Sequence, residues 1–528
     1  YVDNQISLID QYENKVRNGY KFTVTELDKK NNIITVRENL RPALNQHEGE
    51  LEQEMKDLNL DFDKNTIKYR WCENKIDLPP QNIFDNFKKN TPESMREIAI
   101  YCIKDCVLCN SLIIKLDVVT KNMGMSNVCC VPFSYLFLRG QGVKVFSVIS
   151  KQCQEDNFVI PVITKEDFTG DSSYEGAIVL QPKTGIYFKP VAVMDYGSLY
   201  PSSMISENIS HDSLMKITYH HVKKDDEGNI VVIHKDNNGD DVYEFEVEPY
   251  DEKGPEGIDI DKYIKDPDRN NPIEYNNFDK NKNVIGKTVC YYYQPPNNEK
   301  SVLPRVLQRL LQARKETRKR QKQYSKDDFM WSVLEGLQLA YKVTCNSLYG
   351  QVGASTSQVC KTELAASTTA TGRELLELAR DMIVDNYKGS ECIYGDTDSV
   401  FIQFDTYDLS EAIRLGKEAG QKVTDKLIAD GRQPHDLEYE KTFYPFVLFS
   451  KKRYVGNKYE EDVNKFSQNS MGIVLKRRDN ARILKDIYQG VINTILNEKG
   501  DKEVIMQKAV DFYKNAVNRL MIGEVSFN

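Results

Sequence analysis

Apolar and polar positions follow two different rhythms along this chain. Near the start, the short strand-like runs Lys21-Phe22-Thr23-Val24 and Ile33-Ile34-Thr35-Val36 flank a Lys-Lys-Asn-Asn turn, and the sequence stays polar to about Pro80. At Thr91, Thr-Pro-Glu opens a segment with apolar residues at helical spacing, which predicts a long helix to about Val119. Val191-Ala192-Val193-Met194 is a continuous apolar run, which predicts a buried strand, and it ends abruptly in Asp195. Two helical patterns follow, from Ser301 to about Lys322 and from Asp328 to Tyr349, joined by a short polar link. Glu391 to Phe404 predicts a second buried hairpin, and Asn480 to Leu520 is helical in pattern. No internal repeat interrupts this order.

Composition narrows the class. The chain has 528 residues, 40% hydrophobic and 28% charged. That suffices for several domain-sized cores of about 150 residues and excludes a disordered, collagenous or disulfide-scaffold chain. No apolar run reaches the roughly 18 residues of a spanning helix. The opening Tyr1-Val2-Asp3-Asn4-Gln5 has no Met, basic region or apolar stretch, so no signal peptide is expected and the sequence reads as a fragment. Eleven cysteines, an odd and scattered set, suit free thiols in a reducing compartment. Cys106 and Cys109 form a lone CxxC near Cys102, but Cys129 and Cys130 are adjacent and do not supply a matching second pair. Buried helix cysteines are expected instead of a zinc site.

The net charge of -8 argues against a nucleic-acid partner only if charge is spread evenly. It is not. Between Asp212 and Asp279 acids outnumber bases roughly two to one in a turn-rich stretch. Bases cluster from Arg305 to Lys322, at Lys451-Lys452-Arg453 and at Lys476-Arg477-Arg478. An acidic chain can still present a basic channel.

The candidate chemistry lies in short segments. Asp195 ends an apolar strand, and Asp396 and Asp398 flank Thr397 at the tip of an apolar hairpin. Buried carboxylates in that setting are costly unless a cation neutralises them, and hard oxygens from two strand ends suit Mg²⁺ beside substrate phosphates. The competing reading is a solvated turn. Lys342, Asn346 and Tyr349 share one helix face at i, i+4 and i+7, and Arg314 and Arg318 are four apart on the preceding helix. Two guanidiniums and an ammonium match a triphosphate. Lys315, Lys319, Arg320 and Lys322 are read as a solvated basic face.

These segments resemble a family B DNA-dependent DNA polymerase, nearest to the delta-like replicative enzymes of eukaryotes and large DNA viruses. The resemblance rests on DYGSLYPS at 195–202, KVTCNSLYG at 342–350, YGDTDS at 394–399 and KKRY at 451–454, in that order. YEGA at 174–177 and RRDN at 477–480 agree with it. The long acidic stretch 206–300, PPQNIFDNFKK at 79–89, FLRGQGVKVFS at 137–147 and IVLKRRDNA at 473–481 resemble polymerases of nucleocytoplasmic large DNA viruses.

The resemblance implies roles for single residues. Asp195, Asp398 and the Tyr196 carbonyl would hold two Mg²⁺ ions (Mn²⁺ as substitute), with the catalytic Asp396 beside them. Arg314, Arg318, Lys342 and Asn346 would grip the triphosphate; the family often has Lys where this chain has Arg318. Tyr200 would stack under the sugar and exclude a ribose, and Tyr349 would line the nascent base pair. Lys451, Lys452, Arg453, Tyr454, Arg477 and Arg478 would hold primer–template phosphates. Tyr101 and Asp105, in YCIKD, match the third exonuclease motif; the first two are not found in residues 1–100. Proofreading is therefore expected of a parent protein and incomplete here.

The fold implied is α+β, a right-hand polymerase: a palm with an antiparallel sheet, helical-hairpin fingers and a partial helical thumb, preceded by a partial ribonuclease-H-like exonuclease domain. Its expected limits are 1–118 for the exonuclease part, 119–300 for the linker and N-terminal palm with an acidic insert at about 206–300, 301–350 for the fingers, 351–455 for the C-terminal palm and 456–528 for the thumb. The insert is expected to lie peripheral to the chemistry. Alternatively Ile230-Val231-Val232-Ile233 and Val242-Tyr243-Glu244-Phe245 complete the palm sheet. Partners implied are primer–template DNA, deoxyribonucleoside triphosphates and a sliding clamp or other replication factors, without a membrane. The setting implied is intracellular, in a host nucleus or cytoplasmic virus factory. The rival readings are a protein-primed family B polymerase and a catalytically dead DNA-binding paralogue.

Overall fold

The computed structural model describes residues 78–160, 173–225, 231–235, 241–248, 272–295, 297, 299–326, 328–476, 481–498 and 501–522, and four strands before them. The chain divides into two compact units, 1–119 and 120–528.

In the first unit, β1 (Gln5–Ile9), β2 (Lys21–Asp28), β3 (Ile33–Val36) and β4 (Lys68–Cys72) form an antiparallel sheet in the order β3-β2-β1-β4. The two predicted strand-like runs lie in β2 and β3. Helix α1 (Pro80–Lys89) leads to α2 (Pro92–Lys115). Thr91 caps α2: its hydroxyl accepts from the Ser94 N–H at 3.2 Å and Pro92 takes the first helical position. Cys102, Cys106 and Cys109 are exposed on α2, contrary to the buried placement expected of them. The reason is that apolar side chains run all round this helix, so Ile103, Leu112 and Ile114 are exposed with them. Of the remaining pair, Cys129 is buried and Cys130 exposed.

The second unit opens with α3 (Val118–Cys129) and α4 (Gln141–Glu155). Next in the chain come β5 (Ser173–Tyr174), β6 (Gly185–Tyr187), β7 (Val191–Tyr196), α5 (Leu199–Ser206), β8 (Leu214–Val222), β9 (Val232–Lys235), β10 (Asp241–Tyr243), β11 (Phe245–Glu248), β12 (Ile273–Phe278) and β13 (Val284–Tyr292). The hairpin of α6 (Val302–Gln321) and α7 (Phe329–Val352) leads to α8 (Thr362–Asn386), β14 (Glu391–Asp396), β15 (Ser399–Gln403) and α9 (Leu409–Ala429). The chain continues through β16 (Leu437–Ser450), β17 (Arg453–Tyr459), β18 (Phe466–Met471), α10 (Arg482–Asn497) and α11 (Lys502–Met521). Among the described residues no helix is long and apolar enough to cross a membrane.

Two antiparallel sheets organise this unit. One runs β14-β15-β7-β16-β17-β18, with β6 also paired to β16. The other runs β11-β8-β13-β12-β5. On one face of the first sheet, Ala192, Met194, Val400 and Ile402 pack against Leu375 and Leu376 of α8 and Val423 and Leu427 of α9. On its other face, Phe401, Phe443, Phe446 and Tyr454 form an aromatic cluster. The second sheet packs its buried side chains with those of α4, α6 and α7. Helix α3 crosses α7 closely enough that a Cβ on Gly336 would lie 2.7 Å from the Lys121 Cα, so glycine is needed there.

Much of the acidic stretch is structural. Met215 and Ile217 of β8, Ile273 and Tyr275 of β12 and Cys290 and Tyr292 of β13 are buried, so part of 206–300 is built into the core of the unit, whatever its distance from the chemistry. Its charge hides short period-two runs whose alternate residues face the core. Of the two runs offered as sheet strands, Ile230 lies outside the described residues; among those described, β9 and β10 pair with each other and not with the larger sheets, and Val232 and Ile233 are exposed. Only the end of the second run, from Phe245, enters the sheet, as β11 against β8.

Replacing 232–243 with Asn-Gly should leave the thermal midpoint within a few degrees, because the Glu244 N–H already donates to the Val231 carbonyl at 3.2 Å and closes the stem. Replacing 220–282 with a Gly/Ser linker removes β12 and should abolish cooperative melting by circular dichroism.

Candidate active site

β7 dictates where acids can sit. Val191 to Met194 are at most 1% exposed, because β15 and β16 flank the strand and side chains cover both its faces. A charge is tolerable only where the strand leaves the sheet. There Asp195 pairs across the ladders with Ser399 of β15 and Glu438 of β16.

The β14–β15 hairpin delivers the second acid. Asp396 and Ser399 pair, leaving Thr397 and Asp398 as the turn, and the Asp398 N–H donates to the Asp396 carbonyl at 2.7 Å. Thr397 stands at φ +61°, a rare conformation for a β-branched residue. Its N–H donates to the Ile178 carbonyl at 3.0 Å and its hydroxyl to Asp396 Oδ1 at 3.0 Å, which together hold the turn. The Tyr196 N–H donates to the Asp398 carbonyl at 2.8 Å, stitching the two acid-bearing strand ends together.

Burial and mutual repulsion act on both carboxyls. Burial, then the Asp398 charge, then Glu440 push Asp195 up to about 7, against the pull of Lys441. Burial likewise raises Asp398, with Asp396 and Glu440 adding to it. Each carboxyl thus disfavours the charge of the other, the situation of paired acids with no cation between them. Among the described residues no cluster of three or more His, Cys, Asp or Glu could hold a metal. The pair and the neighbouring main-chain carbonyl nevertheless offer hard oxygen donors and uncompensated negative charge, which fit a divalent ion that takes its remaining ligands from phosphates and water.

Asp396 is engaged differently. Lys452 Nζ donates to both its oxygens, at 2.6 and 2.8 Å, and the Tyr394 hydroxyl donates to Oδ2 at 3.1 Å. The Lys452 N–H in turn donates to the Tyr394 hydroxyl at 2.8 Å. Lys451 Nζ donates to the Val179 carbonyl at 2.9 Å. Arg453 is exposed, but Tyr454 is only 6% exposed, its ring drawn into the aromatic cluster. The KKRY segment thus splits between surface and core, which the run of letters did not distinguish. Arg477 and Arg478 lie outside the described residues. Tyr101 and Asp105 lie one turn apart on α2 in the first unit, Tyr101 half-buried and Asp105 exposed.

The basic residues lie on the α6–α7 hairpin. Arg314 of α6 is half-buried and donates from Nε to Gln338 Oε1 of α7 at 3.4 Å. Burial and then Arg318 lower its pKa, opposed in turn by Cys345, Glu335 and Glu438. Arg314 and Arg318 line a cleft of about 430 Å³ with Leu311, Lys315, Lys319 and Lys322. Lys315, Lys319 and Lys322, read as a solvated basic face, are exposed, and they line this groove beside the arginines at the i, i+4 spacing of one helix face. Lys342 and Asn346 are exposed on α7 and do not line that cleft.

Tyr200 and Tyr349 come together, ring centroids 4.4 Å apart and planes at 30°. The chain reaches Tyr200 through a sharp reversal after β7, with Ser198 at φ +56° and the Gly197 N–H donating to the Asp436 carbonyl at 2.9 Å. Burial raises the Tyr200 phenol to about 12, and the Asp398 charge adds to the shift, so the ring lies within electrostatic reach of the acids. Tyr174, in the YEGA segment, packs on the same core as Tyr349, its hydroxyl beside Gly353 one turn further along. Arg373 of α8, which the sequence reading passed over, ties that segment down.

Comparison with known proteins agrees with this arrangement. The family model "DNA polymerase family B" matches residues 131–528. A DNA polymerase of Pyramimonas orientalis virus is 43% identical over 505 residues, 86% of this chain and 38% of that protein. The DNA polymerase delta catalytic subunit of Oryza sativa subsp. japonica is 31% identical over 459 residues, 85% of this chain and 35% of that one. The chain thus spans little more than a third of these relatives. A solved family B DNA polymerase from Pyrobaculum calidifontis shares the fold at a TM-score of 0.50 and 22% identity, over 85% of this chain and 47% of that one. The matched model covers both sheets' site-bearing strands and the basic hairpin alike, and this chain belongs to DNA polymerase family B.

Proposed function

We propose that this chain is the polymerising part of a larger replicative DNA polymerase, which adds deoxyribonucleotides to a primer 3′ end under template direction. In this reading the β14–β18 and β7 sheet is the palm, the α6–α7 hairpin the fingers, and α10 and α11 the start of a thumb. The observation that carries it is the acid pair itself: Asp195 and Asp398 sit on adjoining strand ends, joined by the Tyr196 N–H to Asp398 carbonyl bond, in the same compact unit as a helix whose Arg314 and Arg318 line a basic groove.

Asp195, Asp398 and the Tyr196 carbonyl would hold divalent ions, with Mg²⁺ favoured by the donor set. Such ions, when bound, supply Lewis-acid activation of a primer hydroxyl and neutralise charge on a departing pyrophosphate. Arg314 and Arg318 orient the triphosphate through their planar forks, with Lys342 and Asn346 approaching from α7. The Tyr200 ring, backed by Tyr349, packs against the sugar and leaves no room for a 2′-hydroxyl. Asp396 serves as a local anchor for Lys452 in the DNA-free chain. The likeness to a viral polymerase and to delta catalytic subunits supports a virus-encoded replicative enzyme acting inside the host cell on primer–template DNA, with a sliding clamp as the kind of partner such an enzyme uses. Tyr101 and Asp105 would belong to a proofreading site completed elsewhere in the parent protein.

Asp398→Asn should lower single-turnover incorporation with Mg²⁺ by on the order of a thousandfold while primer–template affinity stays within a few-fold. Its thermal midpoint should not fall, because the substitution removes a repelling charge. Near-normal incorporation would sink the assignment. A second measurement concerns Lys451 and Lys452. Because Lys452 is already paired with Asp396, replacing both lysines by Ala should flatten the log–log salt dependence of DNA binding by about one unit, not two. A change of two would mean that Lys452 leaves Asp396 for a phosphate, and no change would leave both lysines as surface.

A further inference from the structure

Arg373 is a charged side chain only 11% exposed, with no role in the chemistry described above. Its Nη1 donates to the carbonyl oxygens of Glu175 at 2.7 Å and Gly176 at 2.8 Å, and Nε lies 3.4 Å from Glu175 Oε2. Thr369, one turn earlier on α8, also donates its hydroxyl to the Glu175 carbonyl, at 2.9 Å. Burying a guanidinium is costly unless its donors are used, and here they fix one short stretch of backbone.

That stretch leads directly to the stacked tyrosines. Tyr174 precedes Glu175, its hydroxyl 3.0 Å from where a Cβ on Gly353 would stand, one turn beyond Tyr349, and Tyr349 stacks on Tyr200. The same turn of α8 meets Tyr200 from the other side: a Cβ on Gly372 would lie 3.1 Å from Tyr200 Cε1. Gly372 and Arg373 are consecutive, so a single helical turn touches one ring of the pair and, through residues 174–176, restrains the other. The Arg373 charge also acts on both phenols, opposing the upward shift that burial imposes.

We propose that Arg373 is a positioning residue for the sugar gate: it locks residues 174–176, and through Tyr174 and Tyr349 holds the Tyr200 ring in the place that rejects a 2′-hydroxyl. The proposal rests on the polymerase reading and on Tyr200 as the gate. Arg373 touches neither nucleotide nor metal, so its loss frees the ring without removing any group from the reaction. The signature is a change in sugar discrimination with deoxyribonucleotide turnover preserved.

The test is primer extension by the 528-residue chain, with kcat and KM measured separately for a matched deoxyribonucleotide and its ribonucleotide counterpart. Arg373→Met keeps the length and removes every donor. It should lower the deoxy-over-ribo ratio of kcat/KM by about tenfold, chiefly through a smaller ribonucleotide KM, with deoxyribonucleotide kcat within about threefold of wild type. Arg373→Lys, which keeps the charge and part of the hydrogen bonding, should recover part of the ratio. If Arg373→Met does not fold, Thr369→Val carries the test, with a loss of about threefold in the same direction. Equal losses for both nucleotides, or an unchanged ratio, overturn the proposal. Tyr200→Ala separates the two claims: an unchanged ratio there overturns the gate itself, whereas a collapsed ratio there beside an unchanged one in the Arg373 variant overturns only the role of Arg373.

Discussion

Two carboxylates held side by side at the end of a buried strand repel each other and lose hydration, and much of the second unit is arranged around that cost. Asp195 cannot move inward, because the four residues before it fill the middle of the sheet, and Asp398 cannot move away, because its carbonyl is bonded to the Tyr196 N–H. The repulsion and the burial together raise both carboxyls above the usual carboxylate range. A protein selected for that arrangement alone would replace one acid with a neutral residue, since a buried pair of like charges contributes nothing to stability. Retaining both is what a site destined for cations requires.

The surrounding elements follow from this constraint. Thr397 is held in an unusual backbone conformation by bonds on both sides of it, so the turn places Asp398 and leaves Asp396 to Lys452 and Tyr394. Stacked and edge-on rings of Phe401, Phe443, Phe446 and Tyr454 stiffen the sheet from one face, and α8 and α9 from the other. The groove of α6 gathers Arg314, Arg318 and three lysines into one basic surface in the same unit, and such a concentration of charge favours an anionic ligand.

Most of the elements were legible from periodicity alone. The run Val191 to Met194 could only be a strand buried on both faces, and the segments after Ser301 and Asp328 became the two helices of one hairpin. Asp195, Asp398 and Arg314 stood out because each breaks the pattern of its element or recurs at a helical interval, whereas Tyr200 was indicated only by the family resemblance of DYGSLYPS. Residues whose role depends on three-dimensional neighbours were hidden. Arg373 lies in a helix of small and apolar residues and is meaningful only because residues 174–176, almost two hundred positions earlier, lie against it. The burial of β12 and β13 was masked by the acidic turns around them, and Tyr454 looked like part of a basic surface because its three predecessors are cations. Composition averages over such contrasts, whereas strand register separates them residue by residue.

The central claim is that the Asp195–Asp398 pair is built to be neutralised by divalent cations. The most direct test is a Mn²⁺ titration of the chain bound to primer–template DNA, followed by the electron paramagnetic resonance signal of the free ion. The wild-type complex should sequester Mn²⁺, and both Asp195→Asn and Asp398→Asn should weaken that binding by at least about tenfold. Equal Mn²⁺ affinity in the wild type and both variants would contradict the account.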